Sequence, residues 1–142
     1  MNHKLKKDKI LIIDFGSQVT KLIARRIREL KVFSEILRPQ DLKKNYIFEN
    51  VKGIIFSGGP STVTGKKFPN IRREIFNLNI PILGICYGLQ LIVKNYKGTV
   101  KSNNKKREFG RAVLSKSKDS ALTKKFFHQN KCTVWMSHQD SV

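Results

Sequence analysis

The sequence predicts an α/β protein built on an open, mostly parallel sheet flanked by helices. Short apolar runs of strand length alternate along the chain with segments whose apolar residues recur at helical spacing. Glycine-containing turns follow three of the strands, at residues 16–17, 58–59 and 84–88. Because ligands bind beyond the carboxyl ends of the strands in such sheets, we expect the three turns to share the edge that carries the functional site.

The first part of the chain supplies three strands and one helix. Residues 9–14 and 32–37 are strand-like apolar runs, and Ser17 between them is a candidate N-cap for a helix over residues 18–30. Residues 41–50 are weakly patterned and hold at most one helical turn. A third strand is predicted at residues 53–57. The helix is predicted from apolar residues at helical spacing, which are Val19, Leu22, Ile23, Ile27 and Leu30.

The second part of the chain supplies a fourth strand and a second long helix, and then becomes β-rich. A loop over residues 61–69 leads to a short helix that Asn70 caps and that ends at Leu78. A strand at residues 82–85 precedes a helix that ends near Gly98. The predicted apolar face of that helix consists of Leu89, Ile92, Val93 and Tyr96.

The carboxyl-terminal third is predicted with less regular structure. We expect a short strand at residues 99–101 and a pair of strands within 107–115. A helical turn within residues 121–127 and a strand at 133–137 follow. Residues 1–8 are interpreted as a basic tail.

Cys86 lies in a turn that has the form of a nucleophile elbow. The pattern Gly-x-Cys-x-Gly at residues 84–88 joins the fourth strand to the next helix, and glycines are needed where side chains would clash with the strand or a substrate. At a helix N-terminus, free N–H groups and the macrodipole favour a thiolate. The alternative is an inert, buried cysteine, but two further glycine turns at the same edge favour a catalytic one.

Composition and charge limit the possible classes of protein. The 142 residues, 39% of them apolar, suffice for one domain or part of one, and no apolar run approaches the length of a membrane span. Cys86 and Cys132 do not have the spacing of metal ligands, and the sequence has no recognisable signal peptide. These two observations indicate a cytoplasmic protein. The chain carries a net charge of +19, and its lysines occur as scattered pairs rather than as one basic stripe, which favours solvated surfaces over a nucleic-acid-binding module.

A cysteine that attacks a carbonyl group needs hydrogen-bond donors for the oxyanion that develops. By position, the backbone N–H groups of Gly58, Gly59 and Tyr87 fit this role. Gln90 lies one turn into the helix, where its side chain either points toward a polar substrate or faces solvent.

Five blocks of the sequence resemble the class I glutamine amidotransferases. The elbow and the Ser-Gly-Gly-Pro turn are typical of the class, and the three other blocks are similar to those of the amidotransferase domains of GMP synthases. The blocks are Asp14 to Gln18, Ser57 to Pro60, Gly84 to Gln90, Arg107 to Gly110 and Val134 to Asp140. The resemblance covers residues 9–142 and implies a partial amidotransferase domain of flavodoxin-like fold, truncated at its carboxyl end.

The resemblance implies that Cys86 attacks the carboxamide of glutamine, giving a glutamyl thioester and ammonia. The ammonia would pass to a synthetase domain or subunit, absent from this chain, that uses ATP and Mg²⁺ to convert XMP to GMP. No cofactor or metal is implied for the amidotransferase part. The implied oxyanion donors are Gly58, Gly59 and Tyr87, and the implied glutamine-binding residues are Gln90, Ser137 and His138.

Two departures from the family pattern bear on activity. Gln139 occupies a position where the family has glycine, which puts the local backbone conformation in doubt. The Phe-His-Pro-Glu block, which supplies the histidine and glutamate of the catalytic triad, is absent, and His3, His128 and His138 do not replace it. We therefore expect a fragment or truncated product with little glutaminase activity alone.

Two alternatives stay open from the sequence. The first alternative is another class I amidotransferase, of the anthranilate or CTP synthase type, although the turn at residues 14–18 argues against it. A non-catalytic, regulatory subunit that docks on a synthetase is the other. Because only a catalytic cysteine must be activated, we expect Cys86 to be alkylated faster than Cys132.

Overall fold

A four-stranded parallel sheet forms the first part of the computed structural model, which describes residues 7–64, 68–102, 108–127, 129–138 and 140–141. The strands are β1 (Lys9–Ile13), β2 (Phe33–Leu37), β3 (Val51–Phe56) and β4 (Ile82–Gly84). Their order in the sheet is β2-β1-β3-β4. This order is that of flavodoxin-like sheets, so the predicted fold class is confirmed.

Two α-helices accompany the sheet, α1 (Thr20–Glu29) after β1 and α2 (Tyr87–Asn95) after β4. β1 lies in the interior of the sheet, between β2 and β3, and its residues Leu11, Ile12 and Ile13 are fully buried. Such continuous burial is expected of a strand covered on both faces. The largest buried side chains of the first unit include Phe56, Tyr87 and Ile54.

The first helix differs from its prediction in its start and in the face it buries. Ser17 is not the N-cap: α1 begins at Thr20, and the Ser17 hydroxyl accepts the N–H of Val19 in the turn before the helix. The buried residues of α1 are Thr20 and Ala24, whereas Leu22 is 48% exposed. Ile23 and Ile27 of the predicted face are half-buried, so the face that α1 buries is centred on smaller residues than the apolar spacing indicated.

Two short 3₁₀ helices lie in or next to the segments with weaker helical patterns. Pro39–Asp41 forms the first, and within residues 41–50 the N–H of Tyr46 donates to the carbonyl oxygen of Lys43 in a single turn. The helix predicted over residues 70–78 is a 3₁₀ helix at Arg73–Asn77, and the side chain of Asn70 does not cap it but accepts the N–H of Ile71. A segment of this length forms few i→i+4 hydrogen bonds, so the tighter 3₁₀ geometry is accessible to it.

The chain divides into two units, residues up to Lys101 and Ser102–Ser141. In the second unit, β6 (Glu108–Ser115) and β7 (Lys131–His138) form an antiparallel ribbon. The strand pair predicted within residues 107–115 is therefore wrong, because the segment is one strand that pairs with β7. Gly110, at φ +103°, lies within that strand rather than in a turn between two.

Hydrogen-bonded turns occupy residues 121–126, within the segment predicted to hold a helical turn. Two two-residue strands, β5 (Lys101–Ser102) and β8 (Asp140–Ser141), complete the elements. No helix in the part of the chain that the structure describes is both long and apolar enough to cross a membrane.

Candidate active site

Cys86 stands between β4 and α2 with a backbone conformation that non-glycine residues rarely adopt. Its φ is 51° and its ψ is −111°, and its side chain is exposed. Its carbonyl oxygen accepts the N–H of Gln90 at 3.1 Å, as in the first turn of a helix. A strained residue at a strand-to-helix turn is the defining geometry of a nucleophile elbow.

The glycines on either side of Cys86 are required by contacts with backbone. A Cβ atom on Gly84 would lie 2.6 Å from the backbone nitrogen of Leu89. A Cβ atom on Gly88 would lie 2.3 Å from the carbonyl oxygen of Phe56, which belongs to β3. Since neither backbone group can move as a side chain can, the elbow closes only with glycine at both positions.

The three glycine-containing turns meet at one edge of the sheet, as predicted. A Cβ atom on Gly58 would lie 3.5 Å from the Cβ of Cys86, so the paired glycines pass directly beside the elbow. A Cβ atom on Gly59 would lie 2.4 Å from the carbonyl oxygen of Phe15. The turn after β1, the turn after β3 and the elbow therefore form one continuous surface around Cys86.

Backbone donors are available on this surface. Among the described residues, none of the backbone hydrogen bonds in turns and loops is donated by the N–H of Gly58, Gly59 or Tyr87. Tyr87 is the first residue of α2, where backbone N–H groups have no partner within the helix. These N–H groups are therefore candidates for the donors that an oxyanion at Cys86 would require.

The side chain of Tyr87 fastens the start of α2 to the core. Its ring is fully buried and lies 5.1 Å from the ring of Phe15, between centroids. Its hydroxyl donates to the carbonyl oxygen of Pro69. Burial raises the pKa of Tyr87 to about 12, so the phenol stays neutral over the physiological range.

Gln90 is buried, so the alternative in which it faces solvent is wrong. Only 7% of the residue is exposed, and its Oε1 atom has no hydrogen-bond partner among the described residues. Unpaired buried side-chain oxygens are uncommon in native proteins. A donor supplied by a bound molecule would satisfy this oxygen, which is compatible with the predicted role of Gln90.

Asp14 and Ser57 organise the turn after β1, a role that was predicted for neither of them from the sequence. One carboxylate oxygen of Asp14 accepts both the N–H of Gly16, at 2.9 Å, and the hydroxyl of Thr20, at 2.8 Å. The Ser57 hydroxyl accepts the N–H of Phe15 at 3.0 Å. An aspartate two residues before a glycine is a signal for such a turn, whereas nothing local in the sequence distinguishes Ser57.

The remaining predicted residues lie in the second unit or outside the described part of the chain. Ser137 and His138 end β7, in register with Phe109 and Glu108, and their glutamine-binding role stays a prediction. Gln139, His3 and His128 are outside the described residues. Cys132 is on β7, partly exposed, with its thiol near the carbonyl oxygen of Thr133 at 3.7 Å.

Comparison with known proteins shows similarity to glutamine amidotransferases over nearly the whole chain. The family described as glutamine amidotransferase class-I matches residues 11–142. The protein named GMP synthase [glutamine-hydrolyzing] from Prochlorococcus marinus strain AS9601 is 50% identical over 97% of this chain. The protein of the same name from Brachyspira hyodysenteriae is 48% identical over 95%. The chain spans 26% of the length of each of these two relatives.

Solved structures of related proteins have the same fold as this chain. A Thermoplasma acidophilum protein provisionally named as one subunit of a GMP synthase superposes with a TM-score of 0.75 at 29% identity, covering 94% of this chain and 66% of that one. A Thermotoga maritima glutamine amidotransferase superposes with a TM-score of 0.72 at 21% identity, over 94% of this chain and 61% of that one, which shows the shared fold. With the cysteine elbow in place and a match that extends over nearly all of its length, the chain belongs to the class I glutamine amidotransferase family.

Proposed function

We propose that this chain is the glutamine-hydrolysing part of a GMP synthase. The observation that carries the proposal is the exposed Cys86 in a strained elbow, with the paired glycines beside it. The names of the similar proteins from Prochlorococcus marinus and Brachyspira hyodysenteriae support GMP synthase within the amidotransferases.

In the proposed reaction, the Cys86 thiolate attacks the carboxamide carbon of glutamine. A C–S bond forms, and the π electrons of the carbonyl group move to its oxygen, which accepts hydrogen bonds from the N–H groups of Gly58, Gly59 and Tyr87. The oxyanion then collapses, the C–N bond breaks and the nitrogen leaves as ammonia after taking up a proton. Water hydrolyses the resulting thioester to glutamate and frees Cys86.

Substrate binding is proposed for Gln90, Ser137 and His138. Gln90 supports this role with its buried, unpaired Oε1 atom, which suits an N–H donor of a bound amino acid. No residue of this chain is assigned as the general acid or base, so we propose that unaided turnover of glutamine is slow.

The ammonia is proposed to serve a synthetase domain or subunit that aminates XMP to GMP. ATP and Mg²⁺ are proposed for that partner alone, and no residue of this chain is assigned to either. Among the described residues, no three or more His, Cys, Asp and Glu side chains cluster as metal ligands.

A glutamate γ-ester with a p-nitrophenolate leaving group tests the proposal without a general acid, because this leaving group departs unprotonated. Attack by Cys86 forms the glutamyl thioester and releases one p-nitrophenolate, which is followed by absorbance and by the mass of the Cys86 peptide. We expect acylation at least about tenfold faster than by p-nitrophenyl acetate, because binding of the amino-acid part holds the carbonyl at the thiolate.

The two cysteines supply matched controls. Cys86→Ser is expected to lose the acylation, whereas Cys132→Ser is expected to retain it, and excess glutamine is expected to slow it. Equal rates with the two esters, or labelling that resides on Cys132, would contradict the proposed function.

A further inference from the structure

Ser57 occupies a fully buried position directly before the paired glycines. It follows the last residue of β3, and its side chain lies between the turn after β1 and the Gly58-Gly59 turn. Its hydroxyl accepts the N–H of Phe15 at 3.0 Å and donates to the carbonyl oxygen of Gly58 at 2.8 Å.

The direction of both hydrogen bonds is fixed by chemistry. The backbone nitrogen of Phe15 only donates, and the carbonyl oxygen of Gly58 only accepts. A serine hydroxyl has a single proton, so the proton of Ser57 points to the carbonyl oxygen of Gly58, while a lone pair of its oxygen accepts the N–H of Phe15. Ser57 therefore joins the two turns through one buried hydroxyl.

This hydrogen bond contacts the peptide unit between Gly58 and Gly59 at its carbonyl oxygen. In a planar trans peptide, the C=O and the following N–H point in opposite directions. Holding the Gly58 carbonyl toward Ser57 thus directs the Gly59 N–H to the other side of the peptide plane. Neither glycine has a side chain to limit rotation of this unit, so the hydrogen bond to its carbonyl oxygen holds its orientation together with the packing of Gly59 against Phe15.

We propose that Ser57 is a positioning residue for the oxyanion site, acting by orienting the Gly59 N–H. This inference rests on the proposed function, in which Gly59 donates to the oxyanion. Ser57 makes no contact with substrate in this scheme. Its effect should appear in reactions that pass through an oxyanion and be absent from those that do not.

The test compares two reactions of Cys86 in the same protein. Acylation by the p-nitrophenyl γ-ester of glutamate passes through a tetrahedral oxyanion, whereas alkylation by iodoacetamide displaces iodide directly at carbon. In Ser57→Ala we expect the ratio of the acylation rate to the alkylation rate to fall by about tenfold, below the roughly 10²–10³ lost with a whole donor.

Two variants separate positioning from a general loosening of the turn. Thr20→Val removes another buried hydroxyl of the same region, the one that donates to Asp14, without touching the glycine peptide. It is expected to keep the wild-type ratio. Ser57→Thr keeps a hydroxyl and is expected to restore most of the ratio lost in Ser57→Ala.

The outcomes distinguish this inference from the proposed function. An unchanged ratio in Ser57→Ala, or an equal fall in Thr20→Val, would overturn the positioning role. If the wild-type chain itself does not prefer the glutamate ester to p-nitrophenyl acetate, the proposed function fails instead.

Discussion

The conformation of Cys86 carries a cost to stability that glycine would avoid. At φ 51° and ψ −111°, the Cβ atom of a non-glycine residue crowds the adjacent backbone, which costs on the order of 1–3 kcal/mol. Such strain is retained only when the surrounding packing enforces it. Here the contacts that the backbone makes at Gly84 and Gly88 enforce it.

We predict that Cys86→Gly is more stable than Cys86→Ala by about 1 kcal/mol. Both variants lack the thiol, but only alanine keeps the strained Cβ atom; the greater flexibility of glycine in the unfolded chain reduces the gain. Urea denaturation followed by circular dichroism measures the difference. Equal stability of the two variants would show that the turn is relaxed with a side chain present.

At the level of single residues, the sequence predicted what depends on local sterics and missed what depends on contacts distant in the chain. Gly84, Cys86 and Gly88 were predictable because the turn they form is encoded within five residues. The role of Ser57 was not, since its partner Phe15 lies 42 residues away. The burial of Gln90 likewise depends on how α2 packs.

At the level of elements, α2 shows why helical spacing alone misplaced the buried face. The predicted face includes Leu89 and Tyr96, which are 40% and 66% exposed. The buried residues are instead Tyr87, Gly88, Gln90 and Leu91. Gly88 lets the helix backbone lie against the carbonyl oxygen of Phe56, so the buried face is centred on a residue that has no side chain and that apolar spacing does not detect.

We predict that Gly88→Ala lowers the free energy of unfolding by about 3 kcal/mol or more, because its Cβ atom meets the backbone of β3 and separates α2 from the sheet. Gly53→Ala is the matched control within β3: its Cβ atom would lie 3.1 Å from the terminal Cδ1 atom of Ile10, which can move. We expect it to change stability by less than about 1 kcal/mol. Similar losses in both variants would contradict close packing at Gly88.

At the level of the whole molecule, the open, mostly parallel sheet was predicted from patterns that are visible in the sequence. β1 to β4 are apolar runs separated by helical or irregular crossovers, and parallel strands joined in this way give few possible topologies. The second unit was predicted less well. The single strand β6 was divided in the prediction because a glycine within an exposed ribbon resembles a turn, and its pairing with β7 spans a long connection.

The net charge of +19 predicts that salt stabilises the fold. Like charges repel more strongly in the compact chain than in the unfolded one, and added ions screen this repulsion within about 10 Å at 0.1 M. We expect the midpoint of thermal unfolding to rise by a few degrees between about 20 mM and about 300 mM NaCl. An uncharged osmolyte at the same osmolality is the control. A midpoint that falls with NaCl would show that attractive ion pairs dominate.

The antiparallel ribbon of β6 and β7 also determines which spectroscopic signal reports on this molecule. Trp135, the single tryptophan of the sequence, lies on β7 with 79% of its surface exposed. An indole already surrounded by water emits at nearly the same wavelength before and after denaturation. Changes in the Cys86 region are therefore better followed through the aromatic cluster of Phe15, Phe56 and Tyr87, whose rings lie in a fixed, asymmetric environment that gives a near-ultraviolet dichroic band.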